Sequence, residues 1–198
     1  MVYHLNFKEE ESMDRRGQAK LYYLYMMSDG EVSTNEKKLF TTICKEIDVD
    51  ADAKKGIIKE CERIAKSERL NCMEVLLKNI EISYPGELLN IDLSKYVSDS
   101  DKAAIIWNLV NLGYADAYFT NAERAIVEFL CEYWEINNSV YQEMIDVAET
   151  ILSLEKHRKW VEEELTDSET KQEKLKQIKK DIKYAQESIK ITITEIGL

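Results

Sequence analysis

An all-α fold is the architecture that this sequence predicts, on three observations. The 198 residues include one Pro and six Gly, so few chain reversals are marked, which favours long helices over strands. Apolar residues recur three or four positions apart through most of the chain. One helix–turn–helix segment also occurs twice. We therefore expect a helical bundle built from two pseudo-repeated helix–turn–helix units, followed by a C-terminal helical hairpin.

The first two predicted helices flank the segment SDGEVSTNE, residues 28–36. Their apolar spacing comes from Leu21, Tyr22, Leu24 and Tyr25 before the segment and from Leu39, Phe40, Ile43 and Ile47 after it. The second helix begins at about Thr34. Further helices are predicted near 51–66, 69–82, 100–115, 121–134 and 138–165. The loop at Tyr84-Pro85-Gly86 separates the first half of the chain from the second.

The repeat becomes visible when the chain is shifted by 87 residues. SDGEVSTNEKKLFTTIC, residues 28–44, then aligns with ADAYFTNAERAIVEFLC, residues 115–131. The identical pairs include Asp29 with Asp116, Glu36 with Glu123, and Cys44 with Cys131. Two similar hairpins related by a pseudo-twofold axis are the expected result.

The C-terminal part has a different pattern. Leu175, Ile178, Ile182, Ala185 and Ile189 follow a heptad spacing, and an upstream seam runs from Met144 to Leu165 with an interruption at Arg158. An antiparallel hairpin lying on the domain is favoured, because the two seams can satisfy each other. The alternative is a coiled-coil arm for a homodimer or a partner. The last residues, 189–196, alternate Ile and Thr and predict a short strand or a frayed tail.

Composition and charge exclude several classes of function. Net charge is −11, and residues 1–154 carry 28 acidic and 17 basic side chains, so nucleic-acid binding is not expected. Neither a signal core nor a membrane-spanning run is present, so secretion and membrane insertion are not expected. The four cysteines show no CxxC pairing and are expected to be reduced and packed in the core. They are Cys44, Cys61, Cys72 and Cys131.

The glutamates of the repeated segment have a structural explanation. Ser33-x-x-Glu36 and Thr120-x-x-Glu123 are both capping boxes, in which a hydroxyl and a carboxylate each accept a hydrogen bond from the other residue's amide. Asp29 and Asp116 are less easily explained, because each follows a helix whose negative end repels a carboxylate. Each aspartate therefore either closes an Asx-type turn or joins the glutamate seven residues later in binding a cation.

A shared metal site is the functional hypothesis that these turns support. If the two turns converge, they offer four carboxylates, and Glu31 adds a fifth in the first copy only. Oxygen ligands of this kind favour Ca²⁺ or Mg²⁺ over Zn²⁺. The candidate metal ligands are therefore Asp29, Glu31, Glu36, Asp116 and Glu123.

Catalytic motifs do not stand out. The chain has two histidines, His4 near the terminus and His157 in a charged, solvated stretch, and no phosphate loop, HExxH or nucleophile elbow. The tryptophans, residues 107, 134 and 160, are predicted to pack between helices, whereas Tyr22, Tyr23 and Tyr25 are predicted to line an exposed patch. A non-enzymatic protein is expected. The alternative is a metal-dependent hydrolase that uses Asp29, Glu36, Asp116 and Glu123 as a two-ion site.

The paired segments YMMSDGEVSTNEKKLF and GYADAYFTNAERAIVEFL resemble the TerB-like family, which includes tellurite-resistance proteins and a domain of some membrane-anchored J-domain co-chaperones. The family pattern is Ala/Ser-Asp-Gly-x-hydrophobic-Ser/Thr-x-x-Glu in each of two hairpins. The first copy here matches it fully, and the second departs at Ala117. The resemblance covers roughly residues 15–150 and implies a compact bundle of about seven helices in a bacterial, cytoplasmic protein. Residues 1–150 are therefore predicted to form the TerB-like domain, and residues 151–198 a hairpin or coiled-coil extension.

The same resemblance implies a function without established catalysis. It suggests a stress-response module that binds protein partners in larger assemblies near the membrane, with an acidic face associated with metal binding. Asp29, Glu36, Asp116 and Glu123 carry over from the family pattern. A third alternative is a structural adaptor that works through the C-terminal hairpin, in which case deletion of residues 166–198 would leave the bundle folded.

Overall fold

A computed structural model describes residues 15–68, 73–74 and 98–196 of the chain. The helices are α1 (Arg15–Met26), α2 (Thr34–Glu46), α3 (Ala51–Glu68), α4 (Asp99–Gly113), α5 (Asn121–Tyr133), α6 (Asn138–Glu164) and α7 (Ser168–Ile196). The described residues contain no strand, which confirms the all-α prediction. The predicted loop at residues 84–86, Cys72 and, apart from residues 73–74, the predicted helix at 69–82 lie outside the described residues.

The internal repeat extends over three helices rather than over the two helices of the predicted helix–turn–helix unit. Helices α2 and α5 begin and end 87 residues apart, and so do the starts of α3 and α6 and the ends of α1 and α4. The backbone repeats as well, because Asp48 and Glu135 both have positive φ angles, of 55° and 59°. Asp50 and Asn137 then each accept a hydrogen bond, 2.9 Å long, from the amide two residues ahead. The duplicated unit is therefore the three-helix segment α1–α3, repeated as α4–α6.

Helix packing has the symmetry that the repeat predicts. Helices α1 and α4 contact each other, and each also contacts the two helices that follow it in its own repeat. In addition α2 reaches α4, and α5 reaches α1. Each contact made by a helix of the first repeat therefore has an equivalent made by the matching helix of the second repeat. This is expected for a pseudo-twofold arrangement. Helices α1 and α4 therefore form the centre of the bundle.

This central position makes the predicted tyrosine patch wrong. Tyr22, Tyr23 and Tyr25 are all buried, because α1 is covered by neighbouring helices on several sides. Two of the hydroxyls have partners on other helices. The Asn108 amide donates to the Tyr22 hydroxyl at 3.1 Å, and the Tyr23 hydroxyl donates to Glu62 at 3.1 Å.

The predictions for cysteine and tryptophan have mixed outcomes. Cys44, Cys61 and Cys131 are free and buried, as expected. Trp134 is buried and Trp107 packs against the core, but Trp160 is half exposed, so the packing prediction is wrong for that residue. Trp160 lies near the C-terminal end of α6, which ends at Glu164.

Helices α6 and α7 form the predicted antiparallel hairpin. The Thr192 hydroxyl donates to Glu143 at 2.9 Å near one end, and the Lys171 ammonium donates to the Glu162 carbonyl near the other. Val161 and Ile178 are buried in the seam between the helices. The proposed division at residue 150 falls within α6, which is continuous. That division stays a prediction.

The expected strand or frayed tail at residues 189–196 is wrong, because α7 remains helical to Ile196. Ile189 and Ile193 are four positions apart, so they lie on one face of the helix. Both are buried in the main hydrophobic core, and α7 packs against α4 as well as α6. Tertiary burial thus favours helix in a segment whose β-branched residues favour strand locally.

Gly113, the last residue of α4, permits a close approach that a side chain would block. An added Cβ would lie 2.6 Å from a ring carbon of Phe119 and 2.6 Å from the Tyr25 hydroxyl. We expect Gly113→Ala to lower the free energy of unfolding by about 1–3 kcal/mol, since these buried rings cannot move freely. Urea denaturation measures the change. Gly56→Ala on α3 is the control, because nothing lies within 4 Å of its added Cβ. That variant should gain stability, and equal losses in both variants would contradict the prediction.

Candidate functional site

Both predicted capping boxes are present at the turns of the two repeats. At α2 the Ser33 hydroxyl accepts from the Glu36 amide at 3.1 Å, and the Glu36 carboxylate accepts from the Ser33 amide at 2.7 Å. At α5 the matching distances between Thr120 and Glu123 are 3.2 and 2.8 Å. One oxygen of each glutamate is therefore engaged at its own helix terminus.

The first turn shows what Asp29 does. Its carboxylate accepts a hydrogen bond from the Glu31 amide at 3.1 Å, which is the Asx-type turn that was one of the two alternatives. Gly30 has a φ of 94°, and Ala117 takes the same left-handed region at 64° in the second turn. The two turns thus share a backbone conformation although only the first has glycine.

The second aspartate makes a different contact, and this contact joins the repeats. The Asn35 side-chain amide, at the start of α2, donates to the Asp116 carboxylate at 3.1 Å. The two turns, 87 residues apart in sequence, therefore meet in space. The sequence pattern did not indicate Asn35, because the corresponding residue of the second copy is Ala122 and the repeat carries no signal there.

Two buried glutamates lie at this junction. Glu36 and Glu123 are each 4% exposed. Burial raises the pKa of Glu36, the hydrogen bonds from Ser33 lower it, and repulsion from Asp29 and Asp116 raises it again, for a net increase. Burial likewise raises the pKa of Glu123, with added repulsion from Asp29 and Glu36. Four carboxylates from two repeats thus influence one another.

One carboxylate oxygen at the junction has no partner. The Oε1 atom of Glu36 is buried and has no hydrogen bond from any described residue. Its other oxygen is occupied by the cap. A buried acceptor without a donor is costly, and the cost is greater when the group carries charge. The Ser28 hydroxyl in the first turn is a second buried oxygen without a described partner.

The side chains are near one another without forming a complete ligand shell. Across the described residues, no group of three or more His, Cys, Asp or Glu side chains is arranged to hold a metal ion. Asp29, Glu31 and Asp116 are exposed, so their side chains are able to rotate. Glu31 is connected to the site through its backbone amide. The structure therefore brings Asp29, Glu36, Asp116 and Glu123 to one junction, with Glu31 at its edge.

The family model described as Tellurite resistance protein TerB matches residues 17–146. The chain belongs to the TerB family. The matched range contains α2 to α5, both turns and all five candidate ligands, and it ends within α6. No curated protein and no solved structure matches the chain.

Two further features define this TerB chain beyond the family match. Helix α7 lies entirely outside the matched residues, although its Ile189 and Ile193 belong to the core. Within the described part of the chain, no helix is long and apolar enough to cross a membrane. Phe119 of the second turn and Ile189 and Ile193 of α7 belong to one hydrophobic cluster, and Val32 of the first turn packs against it.

Proposed function

We propose that this TerB protein is a non-enzymatic binding module of a stress response, which binds a protein partner and holds a divalent cation at the junction of its two turns. The observation that carries the cation part is the unpartnered Oε1 of Glu36 among three further carboxylates. The name of the family supports the stress response.

A cation would relieve two costs at this junction. It would supply the missing partner of Glu36, and it would offset the repulsion among the carboxylates. The buried carboxylates of Glu36 and Glu123 would bind it from the protein side. The exposed side chains of Asp29 and Asp116 would rotate towards it from the solvent side. The donors are all oxygens, which suits Ca²⁺ or Mg²⁺.

The position of the junction at the surface supports partner binding. Asp29, Glu31 and Asp116 are exposed, and Tyr118, in the second turn, is 70% exposed. A cation that ties the two turns together would hold this surface in one conformation and reduce the ordering cost of binding. The cation would therefore act on the shape of the surface rather than on a reaction.

Thermal unfolding with added Ca²⁺, Mg²⁺ or Zn²⁺ tests the proposal. We expect Ca²⁺ or Mg²⁺ to raise the midpoint of the wild type, since a ligand at 100 times its Kd adds about 2.7 kcal/mol to the free energy of unfolding. The double variant Asp29→Asn with Asp116→Asn should lose this increase. Calorimetric titration of both proteins should give heat for the wild type alone.

The control removes the same charge elsewhere on the two repeats. Asp52 and Asp146 are both exposed and lie on α3 and α6, away from the turns. Asp52→Asn with Asp146→Asn should keep the stabilisation by the ion. Absence of heat and of any midpoint shift in the wild type would overturn the cation proposal. An equal loss in both double variants would show nonspecific charge screening and would overturn it too.

A further inference from the structure

A groove of mixed character opens beside the second turn. It has a volume of about 450 Å³ and lies between the end of α4, the turn, the start of α5 and the middle of α6. Its walls include Tyr114, Tyr118, Arg124, Glu149, Leu152 and Lys156. The volume is within the range of pockets that bind small groups.

Arg124, one of the residues that line this groove, is held in place by an aromatic ring. Its guanidinium lies 4.6 Å from the centre of the Phe119 ring, in a cation–π contact. Phe119 is itself buried, and its ring packs against that of Tyr114 at 5.2 Å. A stacked guanidinium loses little further freedom when it binds, and its planar fork matches the two oxygens of a carboxylate.

Lys156 adds a second positive charge to the same groove. No carboxylate among the described residues forms an ion pair with Lys156 or with Arg124. Arg158, two residues further along α6, shows the contrast, because it pairs with Glu155 at 2.7 Å and with Glu162 at 3.8 Å. The Arg124 guanidinium is hydrogen-bonded to the Tyr114 hydroxyl and interacts with Glu128 over a longer distance. Neither cation of the groove is ion-paired with a described carboxylate, so each can still pair with an acidic ligand.

Among the described residues that line the groove, Glu149 is the one acidic side chain, and it is already engaged. Glu149 accepts a hydrogen bond from the Tyr114 hydroxyl at 2.8 Å. Two positive groups and one negative group leave the described lining of the groove with a net positive charge, in a chain whose net charge is −11. An acidic ligand is repelled by most of this surface and is attracted here, which gives specificity through repulsion elsewhere.

Apolar surface adjoins the two cations. Tyr118 is 70% exposed at the rim, and Leu152 is half-buried on α6. An exposed aromatic ring beside a fixed arginine is the combination that dominates the energy of many protein interfaces. A free inorganic anion would use the cations and leave this apolar surface uncovered. A peptide segment with one acidic and one apolar side chain would use both the cations and the apolar surface.

We propose that this groove binds a segment of a partner protein in which an Asp or Glu side chain adjoins an aromatic or aliphatic one. The carboxylate pairs with Arg124 and Lys156, and the apolar side chain packs on Tyr118 and Leu152. The inference rests on the partner binding proposed above and extends its surface from the exposed turns to the adjoining groove, through Tyr118, which belongs to both. It does not depend on the cation, because none of the groove-lining side chains named here is among the four carboxylates of the junction.

The test is an NMR titration of the full chain, in EDTA, with two short peptides. The probes are Ac-Trp-Glu-Leu-NH2 and its neutral counterpart Ac-Trp-Gln-Leu-NH2. We expect the Glu peptide to bind more tightly and to shift backbone signals around Tyr118, Arg124 and Lys156. Lys156→Gln should weaken it about threefold, the range of an exposed ion pair. Arg124→Lys should weaken it about fivefold, because it keeps the charge but loses the fork.

Lys159→Gln is the matched control, since it removes the same charge from an exposed position on the same helix but outside the groove. It should bind the Glu peptide as the wild type does. Equal binding of the two peptides, or equal losses in the Lys156 and Lys159 variants, would overturn the proposal. It would also be overturned if inorganic phosphate or vesicles of anionic phospholipid bound in a Lys156-dependent way while the Glu peptide did not. The cation titration is unaffected by any of these outcomes, so the two proposals fail separately.

Discussion

Ile189→Ala is expected to lower the free energy of unfolding by about 2–5 kcal/mol, the cost of removing buried methyl groups and leaving a cavity. Ile189 is fully buried and belongs to the same hydrophobic core as α1 and α4. In a protein of this size each kcal/mol corresponds to about 2–4 °C, so the unfolding midpoint should fall by roughly 10 °C. Differential scanning calorimetry and urea denaturation measure the change.

Ile191→Ala provides a control with identical chemistry. Ile191 lies two residues further along α7 and is 58% exposed. Its replacement should change stability by no more than about 0.5 kcal/mol, as for most surface positions. Similar small effects at both positions would show that α7 is not part of the core. In that case the adaptor alternative would gain support, because it requires a hairpin that can be deleted without unfolding the bundle.

Glu36→Gln is expected to have opposite effects with and without a divalent cation. In EDTA at neutral pH the variant should be more stable than the wild type by about 1–3 kcal/mol, because it removes a buried negative charge that lacks a partner and is repelled by Asp29 and Asp116. Glutamine can keep the capping box, because its carbonyl oxygen can accept from the Ser33 amide. With Ca²⁺ or Mg²⁺ present, the variant should lose the stabilisation that the wild type gains.

Glu36 and its counterpart Glu123 make the stability of the protein depend on pH. Burial raises the pKa of Glu36 and Glu123, so the folded state binds protons more tightly than the unfolded state. The stability from these groups is fully present below the unfolded pKa and is lost as pH rises through the raised folded pKa. In EDTA the wild type should therefore lose stability from about pH 4 upwards relative to Glu36→Gln with Glu123→Gln. Unfolding free energies measured at several pH values check this.

Glu132→Gln controls for the loss of one negative charge, because Glu132 is exposed on α5. It should follow the wild type at every pH and with every ion. If Glu36→Gln also followed the wild type, the unpartnered oxygen would have no energetic consequence. The cation proposal would then lose the observation that carries it.

Local interactions explain which features could be predicted from the sequence. The two capping boxes involve residues three positions apart, so the pattern Ser33-x-x-Glu36 was sufficient to place the start of α2. The spacing of apolar residues likewise identified most helices, and the shift of 87 residues identified the duplication. The Asx-type turn at Asp29 was one of two alternatives, and both depend on groups within a few residues.

Features that depend on distant segments could not be predicted in this way. The sequence predicts an exposed patch at Tyr22, Tyr23 and Tyr25. These residues are buried, because α1 lies at the centre of the bundle. The Ile–Thr alternation at residues 189–196 favours strand locally, and burial against α4 overrides it. Asn35 had no signal in the repeat, although its hydrogen bond to Asp116 joins the two turns.

The sequence by itself determined that this chain is helical and acidic, because these properties depend on composition and on spacings within a few turns of helix. The duplication and the resemblance to TerB came from two aligned segments, residues 28–44 and 115–131. Only the tertiary structure decided that the two turns meet, that Glu36 is left with an unpartnered oxygen, and that Arg124 and Lys156 share a groove. These facts depend on packing between segments more than 20 residues apart in sequence, such as Arg124 and Lys156. Their positions follow from the whole core rather than from any one motif.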